Sequence, residues 1–142
     1  MNKTLNTQSA GINLPHLLGG VAMALILVTG LIHWVEAPDN LTEAPYKGVL
    51  FVMNGVAAIV AAIGIYRNER TWGWLLGLFI AGSALAAYVM SRTIGLPGLE
   101  VDAAWFEPIG ILSVLIEVAF VGVAAWALRS RERELPQISK AS

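Results

Sequence analysis

A chain of 142 residues that is 56% hydrophobic and only 13% charged is too apolar for a soluble domain. Its apolar residues fall into four blocks of about 20, each long enough to cross ~30 Å of hydrocarbon as a helix, which leaves no room for a separate soluble domain. The absence of cysteine removes disulfides, thiolate metal sites and thiol redox chemistry, and with a formal net charge of −1 no nucleic-acid partner is expected.

Taken in chain order, residues 1–15 form a polar tail, and the first helix is predicted over 17–35, too long for a signal h-region and without a small-residue cleavage site. The segment from Glu36 to Lys47, with Pro38 and Pro45, reads as a polar turn. A second helix follows over 48–66. The short basic link Arg67 to Arg70 makes the next helix, 71–90, its antiparallel neighbour. A long acidic connector then leads to the fourth helix, 109–128, and residues 135–142 form a polar tail. The expected fold is an all-α integral membrane protein, a single domain of four transmembrane helices in an antiparallel bundle.

Orientation follows from the cations flanking the spans. Lys3, Arg67, Arg70, Arg129, Arg131, Arg133 and Lys140 fall on one side, and Lys47 and Arg92 on the other. Both termini are therefore expected in the cytoplasm, in a multi-pass protein of a bacterial inner membrane. Trp72, Trp74, Tyr66 and Trp126 would mark the inner headgroup belt, and Trp34, Tyr46, Tyr88 and Trp105 the outer one. Small residues four apart, Gly20 and Ala24, Gly77 and Ala81, Ala58 and Ala62, and Gly110 and Val114, are expected to pack the helices.

Among residues that carry chemistry, Glu117 stands out. It lies about nine residues into the last span, roughly 13 Å from its start. A carboxylate at that depth costs a few kcal/mol, so it should face the bundle with a partner. Ser113, one turn away, shares its face; a bond across to Asn54 or Ser83 is the structural alternative. On the first helix Thr29, His33 and Glu36 share a face and form a plausible ligand triplet, whereas His16 reads as a boundary residue. The two histidines lie too far apart on one helix, roughly 25 Å, to ligate one haem. A haem or chlorophyll-type pigment held by His33 alone stays open, as does a divalent cation, since Glu36 and Glu43 add hard oxygen ligands.

Arg92 is expected to pair with Glu107 or Glu117 or to bind an anion. Glu107 precedes Pro108, a placement that suits a helix start. Glu43 follows Asn40 at capping-box spacing, and Asn40-Leu41-Thr42 matches a glycosylation sequon. There is no hydrolase elbow, phosphate loop or paired-His metal motif.

The string Ser91-Arg92-Thr93-Ile94-Gly95-Leu96-Pro97, followed by Glu107-Pro108-x-Gly110 and Glu117, resembles a group of small bacterial four-helix membrane proteins. His33 and Gly48-Val-Leu-Phe51 fit the same pattern, and the likeness spans roughly residues 30–120. It implies fold and topology rather than activity. Where that group often carries a second histidine in the first connector, this chain has the acidic stretch around Glu43.

Three functional expectations follow. The first is a non-catalytic membrane protein that binds a cation, pigment or small ligand through His33, Glu36, Glu43 and Glu117, supported by Thr29, Asn54, Ser91, Arg92, Glu107 and Ser113. The second is an accessory subunit of a larger respiratory, photosynthetic or transport complex, or a homo-oligomer, surrounded by lipid bilayer. The third is a proton-linked carrier or enzyme using Glu117.

Overall fold

A computed structural model describes residues 14–67 and 71–138, with side chains described for 16–67 and 71–130. The tail 1–13, Lys3, Arg70 and Lys140 lie outside the described residues. Those described are all-helical outside the connectors: α1 Leu14–Glu43, α2 Pro45–Tyr66, α3 Trp72–Thr93 and α4 Pro108–Ile138. All four are long and apolar enough to cross a membrane. They pack in a ring, α1 on α2, α2 on α3, α3 on α4 and α4 on α1, with α1 and α3 touching across the centre.

The expected turn from Glu36 to Lys47 is not one. α1 continues through Pro38 to Glu43, and the reversal is confined to Ala44. Ala44 is extended, φ −152° and ψ 117°, the region that a following proline ring favours. Pro45 then opens α2, where its missing N–H costs nothing. Side chains support the longer helix: Asn40 Nδ2 donates to the Glu36 carbonyl at 2.7 Å, and Thr42 Oγ1 to that of Asp39 at 2.7 Å. Asn40 is buried and its amide engaged in the helix, so the sequon is not presented. Lys47 pairs with Glu43 across the bend.

So tight a hairpin needs a residue without a side chain where the helices meet. A Cβ on Gly48 would sit 2.5 Å from the Leu41 backbone nitrogen and 2.6 Å from its Cα. Further along, the Trp34 indole donates to the Val52 carbonyl at 3.1 Å, and Gly30 lies against Gly55 and Ala58. Of the small-residue pairs expected to pack, Ala58 with Ala62 and Gly77 with Ala81 are buried. Gly20 and Ala24 are exposed. Gly73 on Gly64 makes the close approach between α2 and α3.

The two halves of the ring differ. Ala22, Ile26, Ala61, Ile65, Trp74, Ile80, Ala81, Phe120 and Ala124 fill one half as a closed apolar core, with Phe120 seated on Gly77. Trp74 belongs to that core rather than to a belt, while Tyr66 and Trp72 are exposed as a belt requires. α4 extends to Ile138, beyond its expected end at 128 and through the start of the tail expected from 135.

Candidate functional site

The other half of the ring is open. At the end where α1 meets α2 and the α3–α4 connector crosses over, a cavity of ≈ 360 Å³ extends inward as far as Glu117. That volume is at the lower end of small-molecule sites, about 300–1,000 Å³. Ile32, Phe51, Ala84, Ala87, Ile109 and Val114 give it apolar walls, and Glu36, Asp39, Glu43, Glu100, Asp102 and Glu107 an acidic mouth.

Two buried polar side chains from different helices line it deeper in. His33, 8% exposed, comes from α1, where its Nδ1 lies 2.9 Å from the Thr29 carbonyl oxygen. A carbonyl only accepts, so Nδ1 carries a proton and Nε2 is the ring's remaining polar atom. The ring packs against Phe51, centroids 4.8 Å apart. Glu117, 2% exposed, comes from α4 and accepts a hydrogen bond of 2.9 Å from Ser113 Oγ. That bond runs along one helix, and neither Asn54 nor Ser83 is its partner; Ser83 Oγ donates instead to the Ile80 carbonyl.

The connector is fastened over the cavity by groups from α2 and α3. Arg92 is 8% exposed and forks between Asp102 and Glu107, reaching Glu107 Oε2 at 3.1 Å. Its guanidinium lies over the Tyr88 ring, 4.9 Å from the centroid. A planar fork suits two carboxylates at once, and the aromatic face adds to the hold. The expected pairing with Glu107 is present, but Asp102 takes the second arm rather than Glu117. With both arms engaged, Arg92 does not present an anion site. Tyr46 donates to the Pro97 carbonyl at 2.7 Å, Tyr88 to that of Trp105 at 2.7 Å, and the Asp102 amide to the Ser91 carbonyl at 3.0 Å. Gly95, at φ +80°, ends α3 with its N–H 2.9 Å from the Met90 carbonyl, a left-handed stop that turns the chain back over the bundle.

Of the residues singled out in the sequence, His33, Glu36, Glu43, Ser91, Arg92, Glu107, Ser113 and Glu117 line this one cavity. Thr29 and Asn54 do not. Thr29 contributes its carbonyl rather than its hydroxyl, and Thr29 Oγ1 and Asn54 Oδ1 are both buried without a hydrogen-bond partner among the described residues. Among the described residues no three His, Asp or Glu side chains come together as a metal-ligand set. Glu43 is tied to Lys47, and Thr29 turns only its backbone toward His33. Tyr88, Tyr46, Asp39 and Asp102 were missed. Both tyrosines read as belt residues in sequence, although a phenolic hydroxyl needs a partner when half-buried.

No protein family model matches the chain, and comparison with curated proteins and with solved structures finds no match.

Proposed function

We propose that the chain is an antiparallel four-helix protein of a bacterial inner membrane, both termini in the cytoplasm, that binds a small molecule in the cavity beneath the α3–α4 connector and performs no chemistry on it. The observation that carries this reading is the pair His33 and Glu117, two nearly inaccessible polar side chains on different helices that line one cavity. Burying such groups costs free energy unless a partner meets them. Ser113 and Thr29 supply one partner each, and a ligand supplies the rest. The apolar core below, with Ile26 and Phe120 fully buried, supports a closed-ended binding site over a conducting path. It also argues against a proton-linked carrier, which needs titratable steps across the whole span. A pigment on His33 is less well supported than a compact ligand, because a cavity of ≈ 360 Å³ lies at the lower end of small-molecule sites.

Purification in mild detergent followed by mass spectrometry of released small molecules tests the reading. A stoichiometric compound in the native protein that is lost from Ala87→Trp, which fills the cavity, supports it. Equal recovery from both proteins counts against it.

The accessory-subunit reading has one observation in its favour. The connector exposes the apolar side chains of Ile94 at 74% and Phe106 at 87%, both outside the helices. A stoichiometric membrane partner recovered with the wild-type chain and lost from Phe106→Ser would favour it.

A further inference from the structure

We infer that the ligand is a small organic cation, an ammonium-type group on a short apolar body; this rests on the cavity being a binding site. The argument comes from which hydrogen-bonding atoms around the cavity are already engaged. Its side-chain donor groups each have a partner within the protein: Lys47 pairs with Glu43, Arg92 with Asp102 and Glu107, and Asn40 Nδ2 donates to the Glu36 carbonyl. The hydroxyls of Ser91, Tyr88 and Ser113 donate to the Tyr88 carbonyl, the Trp105 carbonyl and Glu117. Arg92 Nε is a buried donor atom with no partner among the described residues.

The acceptors are in the opposite condition. Seven carboxylates line the cavity against two cations, and among the described residues Glu36, Asp39, Glu100 and Glu117 form no ion pair. His33, 92% buried by its 8% exposure, has Nδ1 turned to the helix backbone and leaves Nε2 as an acceptor. A ligand that satisfies this lining must bring donors and positive charge. An anion would meet like charge, and a neutral acceptor would meet donor groups already drawn to carboxylates and carbonyls.

Between a metal ion and an organic cation, the ligand geometry decides. A bare divalent ion requires several oxygen or nitrogen ligands converging on one point, and among the described residues no three His, Asp or Glu side chains converge so. An ammonium group needs only one or two acceptors in line with its N–H bonds. The rest of such a ligand would lie against Ile32, Phe51, Ala84, Ala87 and Val114, walls that offer nothing to a hydrated ion. Glu117 sits at the apolar end of the cavity, so it is the group assigned to the ammonium, with Glu36 nearer the mouth.

The test uses the full chain in detergent and follows its thermal unfolding with three matched probe series: n-alkylammonium ions from ethyl to hexyl, the corresponding alcohols and the corresponding carboxylates. The alkylammoniums should raise the unfolding midpoint saturably, with affinity growing along the series as apolar area is buried. Alcohols and carboxylates should have no saturable effect. Glu117→Gln should weaken the ammonium effect by about tenfold or more, since a charge-assisted hydrogen bond is lost. Glu36→Gln gives a second reading at the mouth should Glu117→Gln fold poorly, and Ala87→Trp should abolish the response. Stabilisation by alcohols or carboxylates, or by magnesium, manganese or zinc, that Ala87→Trp removes would overturn the organic-cation class while leaving the cavity as a site. Absence of any saturable shift with every probe would overturn the class and the site together.

Discussion

Ser113 Oγ donates a 2.9 Å hydrogen bond to Glu117 one turn along α4, and no cation pairs with that carboxylate among the described residues. The bond satisfies one carboxylate oxygen from within a single helix and leaves the group without any tie to a neighbouring helix. Ser113→Ala should therefore lower stability by about 1–3 kcal/mol, the cost of stripping a buried acceptor of its partner. Ser113→Thr, which keeps the hydroxyl, should restore most of it. Thermal unfolding of the three proteins in one detergent checks this, and an unchanged Ser113→Ala midpoint would remove Ser113 from the site.

Thr29 presents the reverse case. Its hydroxyl is fully buried without a hydrogen-bond partner, while its carbonyl holds His33. Thr29→Val keeps the shape and the carbonyl and removes the orphaned hydroxyl, so it should be neutral or stabilising by up to about 1–2 kcal/mol. Nitrogen NMR of the His33 ring should report the same Nδ1–H tautomer in both proteins. A large loss of stability would mean that the hydroxyl has a partner after all.

Arg92 fastens the connector by pairing with Asp102 and Glu107, each about half exposed. Solvent screening reduces what the pairs contribute, so Arg92→Ala should cost on the order of 1–2 kcal/mol globally. Its larger effect should be local, as a marked rise in protease cutting and hydrogen exchange over residues 94–107. Arg92→Lys keeps the charge but lacks the planar fork that spans two carboxylates, and should fall between wild type and Arg92→Ala in cutting rate.

Gly48 lies where α2 leaves Ala44 and passes the backbone of Leu41. Gly48→Ala puts a methyl group into backbone that cannot yield locally. The variant should lose about 1–3 kcal/mol, the range for overpacking. Gly82→Ala, on an exposed site with nothing within 4 Å of the added Cβ, should be neutral or slightly stabilising. Denaturation of the pair side by side measures the difference.

The native chain has no cysteine, so single cysteines report topology cleanly. If both termini are cytoplasmic as proposed, Ala103→Cys in the connector should react with a membrane-impermeant maleimide on intact cells. Ser142→Cys should react only after permeabilisation. The opposite pattern would invert the orientation.

Much of the fold was legible because the signal is local. Four apolar blocks announce four helices, and a carboxylate at Glu117 is conspicuous in such a block. The α1–α2 junction was not legible, since a polar run with two prolines has the composition of a loop. The bonds of Asn40 to the Glu36 carbonyl and Thr42 to that of Asp39, with the close approach of Gly48 to Leu41, accompany the run of α1 to Glu43. Small-residue spacing likewise recurred on exposed and buried faces alike, so it gave Gly20 the same standing as Gly77. The exposed Gly20 packs nothing.

By itself the sequence determined four helices of spanning length and the acidic character of one end, because length, composition and charge act within a few turns of chain. Only the tertiary structure decided that His33 and Glu117 line one cavity, that Asp102 rather than Glu117 takes Arg92's second arm, and which polar atoms remain without a partner. Whether a donor is already engaged depends on groups brought close in space from distant parts of the chain, and no local pattern carries that information.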